Sequence, residues 1–236
     1  MSETTNLKLP LVAAAQAQKH VTVNEALARV DAALQMNIVS RTLMSPPTST
    51  LGEVYLVPDA ALGDWTGQDG ALAFAVGNGW DFIPPQAGWR IWVADESKWI
   101  SFGVSGWLDG AIATTQSGAG LRIEVLEFDN DFVGAATEIQ TTAIIPAGSV
   151  VFAVTGRVLD GFDGSLSNWS LGVTGSSDRY GSGLGTATAA YVRGLTGQPQ
   201  SYYSDTPLVL TANGGDFGSG EIRLAIHLMH FELPNL

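Results

Sequence analysis

A chain of 236 residues, 45% apolar and 14% charged, is long enough for one or two domains with a substantial buried core, which excludes disorder for most of it. Its 23 acidic and 11 basic residues give a net charge of −12, and the bases are scattered, so nonspecific nucleic-acid and anionic-membrane binding are set aside. Cysteine is absent, which removes disulfides, thiolate metal sites and cysteine nucleophiles together.

Twenty-eight glycines and ten prolines among many Val, Ile, Thr and aromatic residues predict short strands joined by tight turns, a mainly β protein. No apolar run approaches the roughly 20 residues of a transmembrane helix, and the start "MSETTNLKLPLVAAAQAQK" lacks the apolar core of a signal peptide. Synthesis in the cytosol, without export signal or membrane insertion, is expected. A cysteine-free chain tolerates both the cytosol and the outside, as suits a particle assembled in a cell and released from it.

The first predicted element is a helix. Leu11, Ala15, Val23, Leu27, Val30 and Leu34 recur mostly at spacings of three to four beyond Thr22, and Thr22 with Glu25 forms a capping box, placing the helix at 23–36. The preceding "AAAQAQKHV" is read as a short helix or an extended arm whose small and amide side chains lie close against another surface. Gln16, Gln18, Lys19, His20 and Asn24 are its candidate attachment or subunit contacts, with core packing as the alternative. Residues 1–45 thus form an N-terminal arm and helix for attachment or oligomerisation.

A Pro/Ser/Thr stretch at 44–53 ends the helical part. Then come strand-like "EVYLVP", "ALAFAV", "WRIWVA" and "KWISFG", separated by the turn signals "GDWTGQDG", "GNGWDF", "PPQAGW" and "ADES". Six of the seven tryptophans, Trp65, Trp80, Trp89, Trp92, Trp99 and Trp107, fall here, so residues 46–110 are read as a small β module built on stacked indoles. A Gly/Ser/Thr-rich boundary at 105–120 follows.

Beyond it, "LRIEVLEFD", "TEIQTTAIIP", "SVVFAVTGRVL", "WSLGVTG", "AYVRGLTG", "TPLVLTA" and "GEIRLAIHLMHFEL" predict seven strands. Residues 111–236 are therefore a β-sandwich of jelly-roll or immunoglobulin-like size. The last strand alternates best, with Ile222, Leu224, Ile226 and Leu228 on one face and Arg223, Ala225 and His227 on the other.

No cofactor is expected. His227 and His230 are three apart on a strand, hence on opposite faces and unsuited to share a metal. "YGSGLGTA", at 180–187, offers GxGxG without a strand–helix context or a P-loop lysine and reads as a turned loop. The loop "DGFDGSLSN" clusters oxygen ligands, but its spacing departs from a calcium loop, so Asx-turn chemistry is favoured over Ca²⁺ at Asp160 and Asp163.

A carboxylate pair for glycoside hydrolysis could be drawn from Glu124, Glu127, Asp129 and Asp131, but acidic surfaces are common, and GxSxG and HExxH motifs are absent. The chain is not expected to be an enzyme. Aromatic residues are the better clue: Trp169, Tyr180, Tyr191, Tyr202 and Tyr203 lie in or beside Gly/Ser/Asn-rich connections. Exposed rings beside polar groups bind sugars, because pyranose C–H faces stack on them while hydroxyls hydrogen-bond; packing of the core or of a subunit contact is the alternative.

The combination "LPLVAAAQAQKHVTVNEALARVDAAL", "GEVYLV" and "AGWRIWVADE" resembles the phage and gene-transfer-agent proteins grouped as DUF2793, a domain of unknown function; Gln16 to His20 is the most specific part. The resemblance covers roughly the first 110 residues. The stretches "IIPAGSVVFAVTGRVL", "TPLVLTANGGDF" and "IRLAIHLM" are similar to the β-rich module that accompanies this domain in alphaproteobacterial prophage proteins.

The resemblance implies a particle appendage, a tail fibre or head spike, that recognises host capsular polysaccharide. It supplies no catalytic or binding motif to carry over. The short chain, without long repeats or heptads, suits a compact spike or tip. The expected partners are capsid or tail proteins, host surface polysaccharide and further copies of the chain, as a trimer in a fibre or a pentamer at a capsid vertex. The rival readings are a structural adaptor to another receptor-binding chain and a capsule depolymerase.

Overall fold

In the computed structural model, which describes residues 3–13, 19–34, 36–48, 50–77, 79–104 and 106–235, the helix α1 spans Lys19–Ala33. It already includes Thr22, so the expected N-cap at Thr22 is corrected: Thr22 and Glu25 are exposed side chains within the helix. Its apolar side chains do little packing, since Val21, Val23 and Val30 are exposed and only Ala32 among them reaches a core. Polar contacts hold it instead. The buried Asp31 carboxylate accepts hydrogen bonds from Thr4 Oγ1 (2.7 Å) and from the N–H groups of Asn6 (2.9 Å) and Leu7 (2.6 Å). Burial pushes its pKa up, but these bonds outweigh it and keep the carboxyl below its ordinary value. Among the described residues no helix is long and apolar enough to cross a membrane.

The chain divides into two compact units, residues 1–118 and 119–235. In the first, β1 (Asn37–Ile38), β2 (Val54–Leu56), β3 (Leu72–Val76), β4 (Gly79–Ile83), β5 (Arg90–Val93), β6 (Lys98–Gly103), β7 (Gly106–Asp109) and β8 (Ala111–Thr114) follow α1. Sheets ordered β1-β5-β6-β7 and β2-β3-β4 share a core of Ala32, Ile38, Val54, Leu72, Phe74, Ile91 and Ile100, so the helix and the tryptophan-rich strands belong to one unit.

Two expected connections are strands. "GNGWDF" contains β4, whose Trp80 and Phe82 pack beside Tyr55 and Trp65, and the Gly/Ser/Thr-rich boundary contains β7 and β8. The indoles form no single stack. Trp65 meets Trp80 at 5.2 Å and Trp92 meets Trp99 at 5.4 Å, both edge to face, the arrangement that ring quadrupoles favour.

A charged lattice ties the strand ends of this unit. Arg41 bonds both oxygens of Glu96 (2.7 and 2.8 Å) and both of Asp109 (2.6 and 2.9 Å), and Lys98 Nζ lies 2.8 Å from Glu96 and 3.1 Å from Asp109. Hydrogen bonds from Arg41 hold Glu96 below its ordinary pKa; burial pushes Asp109 up, but Arg41 and Lys98 outweigh it and lower it. Lowered carboxylates contribute stability above their unfolded values, 4.5 and 3.8, that is lost as pH falls through the folded values. Residues 1–118 should therefore unfold more readily below about pH 4, and Arg41→Met should cost about 2 kcal/mol at neutral pH and flatten that acid limb, by chemical denaturation across pH.

The second unit contains β9 (Gly120–Ala136), β10 (Glu138–Ile145), β11 (Ser149–Asp160), β12 (Asn168–Val173), β13 (Ser176–Leu184), β14 (Tyr191–Tyr202), β15 (Thr206–Asn213) and β16 (Phe217–Glu232). Its strands run β9-β16-β11-β14 in one antiparallel sheet and β10-β15-β12-β13 in the other. Counted from β9, that is first, eighth, third, sixth against second, seventh, fourth, fifth. This order is a jelly roll, and it decides against the immunoglobulin-like alternative.

One core joins the two sheets, with Val151, Val154, Ile222, Leu224, Ile226 and Leu228 from the first and Ile145, Trp169, Leu171, Leu208 and Leu210 from the second. The alternation expected along β16 holds: its even-numbered residues from Ile222 to Leu228 are fully buried, while Arg223 and His227 face outward. The strand β13 falls where a turned loop was expected, because its Gly/Ser-rich sequence has only Tyr180 to bury. At β14, a side chain on Gly194 would collide with the carbonyl oxygen of Tyr180, so the sheets close on each other there. Leu224→Ala should destabilise this unit by about 2–5 kcal/mol in urea unfolding, since neither sheet can collapse into the space left.

Candidate functional site

The five aromatic candidates separate by burial. Trp169 and Tyr180 are 1% and 2% exposed and Tyr202 is 6%, so these three are core residues and not surface rings. The Trp169 indole N–H donates to Gly185 O at 2.9 Å. The Tyr180 and Tyr202 hydroxyls share a 2.7 Å hydrogen bond, and Arg179 donates to the Tyr202 oxygen at 3.2 Å. Burial first, and the Tyr202 bond second, push the Tyr180 phenol far up, so it stays protonated. Tyr191 and Tyr203 are the exposed rings, at 63% and 91%. Their neighbourhoods differ, because Tyr203 follows the end of β14 whereas Tyr191 opens that strand at the edge of a groove.

The groove, of about 620 Å³, lies on the outer face of the β9-β16-β11-β14 sheet. Strand register builds it in rows: Tyr191, Arg157, Arg223 and Asp129 are successive partners across the sheet, and next to them Arg193, Thr155, Ala225 and Glu127. The Arg193 guanidinium sits 5.9 Å from the Tyr191 ring centre. Arg157 donates to Ala189 O at 3.2 Å, and Thr155 Oγ1 lies 2.9 Å from His227 Nε2. Arg223 grips both oxygens of Asp129, at 2.6 and 2.7 Å. The groove thus offers a ring face, free guanidinium donors, a hydroxyl and a carboxylate.

The Arg223 bonds hold the Asp129 carboxyl below its ordinary value, opposite to what a glycosidic general acid needs. Glu127, Asp129 and Asp131 are all exposed along β9, whereas Glu124 lies 3.6 Å from His230, apart from His227. Asp160 ends β11 and is exposed; the Asp163 main chain is pinned by Ser219 and Gly218, with its carboxylate 3.4 Å from Ser219 Oγ. Among the described residues no three His, Asp or Glu side chains gather as a metal site.

Comparison with known proteins bears on the first unit. Residues 23–108 match the family described as a protein of unknown function, DUF2793. Over this segment the chain is similar to that family. The segment takes in most of α1 and the strands β1 to β7, and the jelly roll lies outside it. A solved structure titled "Cyanophage Pam1 capsid asymmetric unit" is 23% identical, over 50% of this chain and 92% of that one, with a TM-score of 0.37. No curated protein matches the chain.

Of the expected attachment contacts, all but Asn24 precede the matched segment, and Gln16 and Gln18 lie outside the described residues. Lys19 and His20 open α1; His20 Nδ1 is shielded, with no hydrogen-bond partner among the described residues. Asn24 holds the arm of its own chain, bonding Val12 N (2.9 Å) and Val12 O (3.1 Å) through its amide.

Thr155, Arg157 and Arg193 are groove residues that no local sequence motif marks. Period-two alternation in "SVVFAVTGRVL" and "AYVRGLTG" puts Thr155 with Arg157, and Tyr191 with Arg193, on common faces, but only the β11–β14 pairing joins them. The division of rings can be measured. Tyr180→Phe should cost about 1–2 kcal/mol in urea unfolding by breaking the buried phenol pair, whereas Tyr203→Ala should change stability by less than about 0.5 kcal/mol.

Proposed function

We propose that the chain is an appendage component of a phage-type particle that binds host surface polysaccharide through residues 119–235 and joins the particle through its N-terminal part, without catalysis. The observation that carries this reading is the exposed Tyr191 ring at the edge of a groove that also holds Thr155, Arg157, Arg193 and Glu127. A pyranose ring stacks its C–H face on such a ring and spends its hydroxyls on the surrounding donors and acceptors. The match of residues 23–108 to DUF2793 supports the particle setting, through the resemblance of that sequence to phage and gene-transfer-agent proteins. Copies arrayed as a trimer or pentamer on capsid or tail proteins would multiply weak sugar contacts into avidity.

One other feature favours the adaptor reading. Ile123, Val125, Phe152, Leu195 and Phe231 are exposed apolar side chains on the groove's sheet, a surface suited to another chain. Full-length protein titrated against purified host capsule separates the two. Tyr191→Ala should weaken retention about tenfold, equivalent to about 1.4 kcal/mol, and Tyr203→Ala should leave it unchanged. Absence of capsule binding by the oligomer, with particle binding intact, would replace the adhesin by the adaptor; shortened capsule chains on a gel would show a depolymerase.

A further inference from the structure

We infer that the saccharide taken by this groove is anionic, a polymer whose repeat carries a carboxylate, held by Arg157 and Arg193. The inference rests on the polysaccharide reading of the groove and goes one step beyond it. Residues 119–235 contain five arginines, Arg122, Arg157, Arg179, Arg193 and Arg223, and no lysine. Two are used elsewhere. Arg122 Nε lies 2.7 Å from Glu232, an ion pair without an aligned hydrogen bond, and Arg179 serves Tyr202. The other three all line the groove.

Their arrangement is costly without a ligand. Arg157 and Arg223 are direct partners across β11 and β16, a pairing in which like charges repel. Arg193 is opposite Thr155, two residues along β11 from Arg157, so the two cations are diagonal neighbours. Asp129 neutralises Arg223 alone. Arg157 has only the carbonyl of Ala189, and Arg193 has the Tyr191 ring; neither meets a carboxylate among the described residues.

Two uncompensated guanidiniums beside an exposed ring, in an otherwise acidic unit, match a planar carboxylate that accepts paired N–H donors while its sugar lies on Tyr191. Glu127, across the sheet on β9, repels that acid group and leaves it over β11 and β14, with hydroxyls towards Thr155 and Glu127. The net charge of −12 works against long-range capture of any polyanion, so recognition depends on this local contact. A nucleic acid, which needs an extended cationic track, is disfavoured by the same charge.

The test uses the full chain on a panel of immobilised bacterial capsular polysaccharides of known repeat, acidic and neutral, each acidic one also after carbodiimide–borohydride carboxyl reduction, with a single-stranded oligonucleotide alongside. Binding should be confined to carboxylate-bearing polymers, fall at least about tenfold on carboxyl reduction, and weaken as salt rises. Arg157→Gln and Arg193→Gln should each lower it about tenfold at unchanged unfolding midpoint, while Arg122→Gln should not. Equal binding to the reduced polymers overturns the anionic inference and leaves polysaccharide binding standing. Binding to the oligonucleotide instead, or to nothing on the panel, overturns both.

Discussion

A strand offers its side chains alternately to two faces, so a strand at the centre of a sheet fixes two surfaces at once. In residues 119–235 that strand is β16, paired with β9 on one side and β11 on the other. Its register sends Ile222, Leu224, Ile226 and Leu228 into the core and Arg223, Ala225 and His227 to the opposite face, where Arg223 and Ala225 line the groove. A slip of one residue would exchange these sets, exposing four aliphatic side chains and burying a guanidinium. The groove is therefore as well determined as the core. The irregularity in β11 between Val151 and Ala153 keeps the alternation in phase, because it sets Phe152 aside as the extra residue.

The first unit relies on a different balance. Its strands are short, several only two to five residues, and α1 adds little apolar burial. Asp31 fastens the segment at Thr4 to Leu7 onto the helix, and Arg41 fastens the chain after β1 to Glu96 and Asp109. Both are charges whose hydrogen-bonding capacity is largely used, which is the condition under which partly buried charges hold structure together.

Much of this architecture is legible in the sequence, and what is not has physical causes. Alternation marks β16 clearly because one of its faces is wholly apolar. Composition announces a mainly β chain, but strand order, which separates a jelly roll from an immunoglobulin-like sandwich, depends on pairings between distant segments such as β9 with β16. The strands β4 and β13 hide in Gly-rich text because neighbours, not intrinsic preference, hold them extended. Thr22 and Glu25 form a capping pattern that the longer helix passes through.

The site follows the same rule. Local composition identifies Tyr191 but cannot tell it from Tyr180, since both adjoin small polar residues and only packing buries one of them. The DUF2793 resemblance is carried by consecutive residues and needs no tertiary information; the match covers residues 23–108 and leaves out Gln16 to His20, the stretch that sequence alone singles out.

The close approach at Gly194 has a bearing on assembly. A sheet edge with free N–H and C=O groups invites a strand from a second molecule, and repeated copies at high local density are where such pairing runs out of control. Here the main chain of Tyr180 fills the space over the inner face of that glycine, so the two sheets meet with no side chain between them at this edge. The β14 edge itself pairs only with β11, so its outward N–H and C=O groups are where a strand from another copy would add.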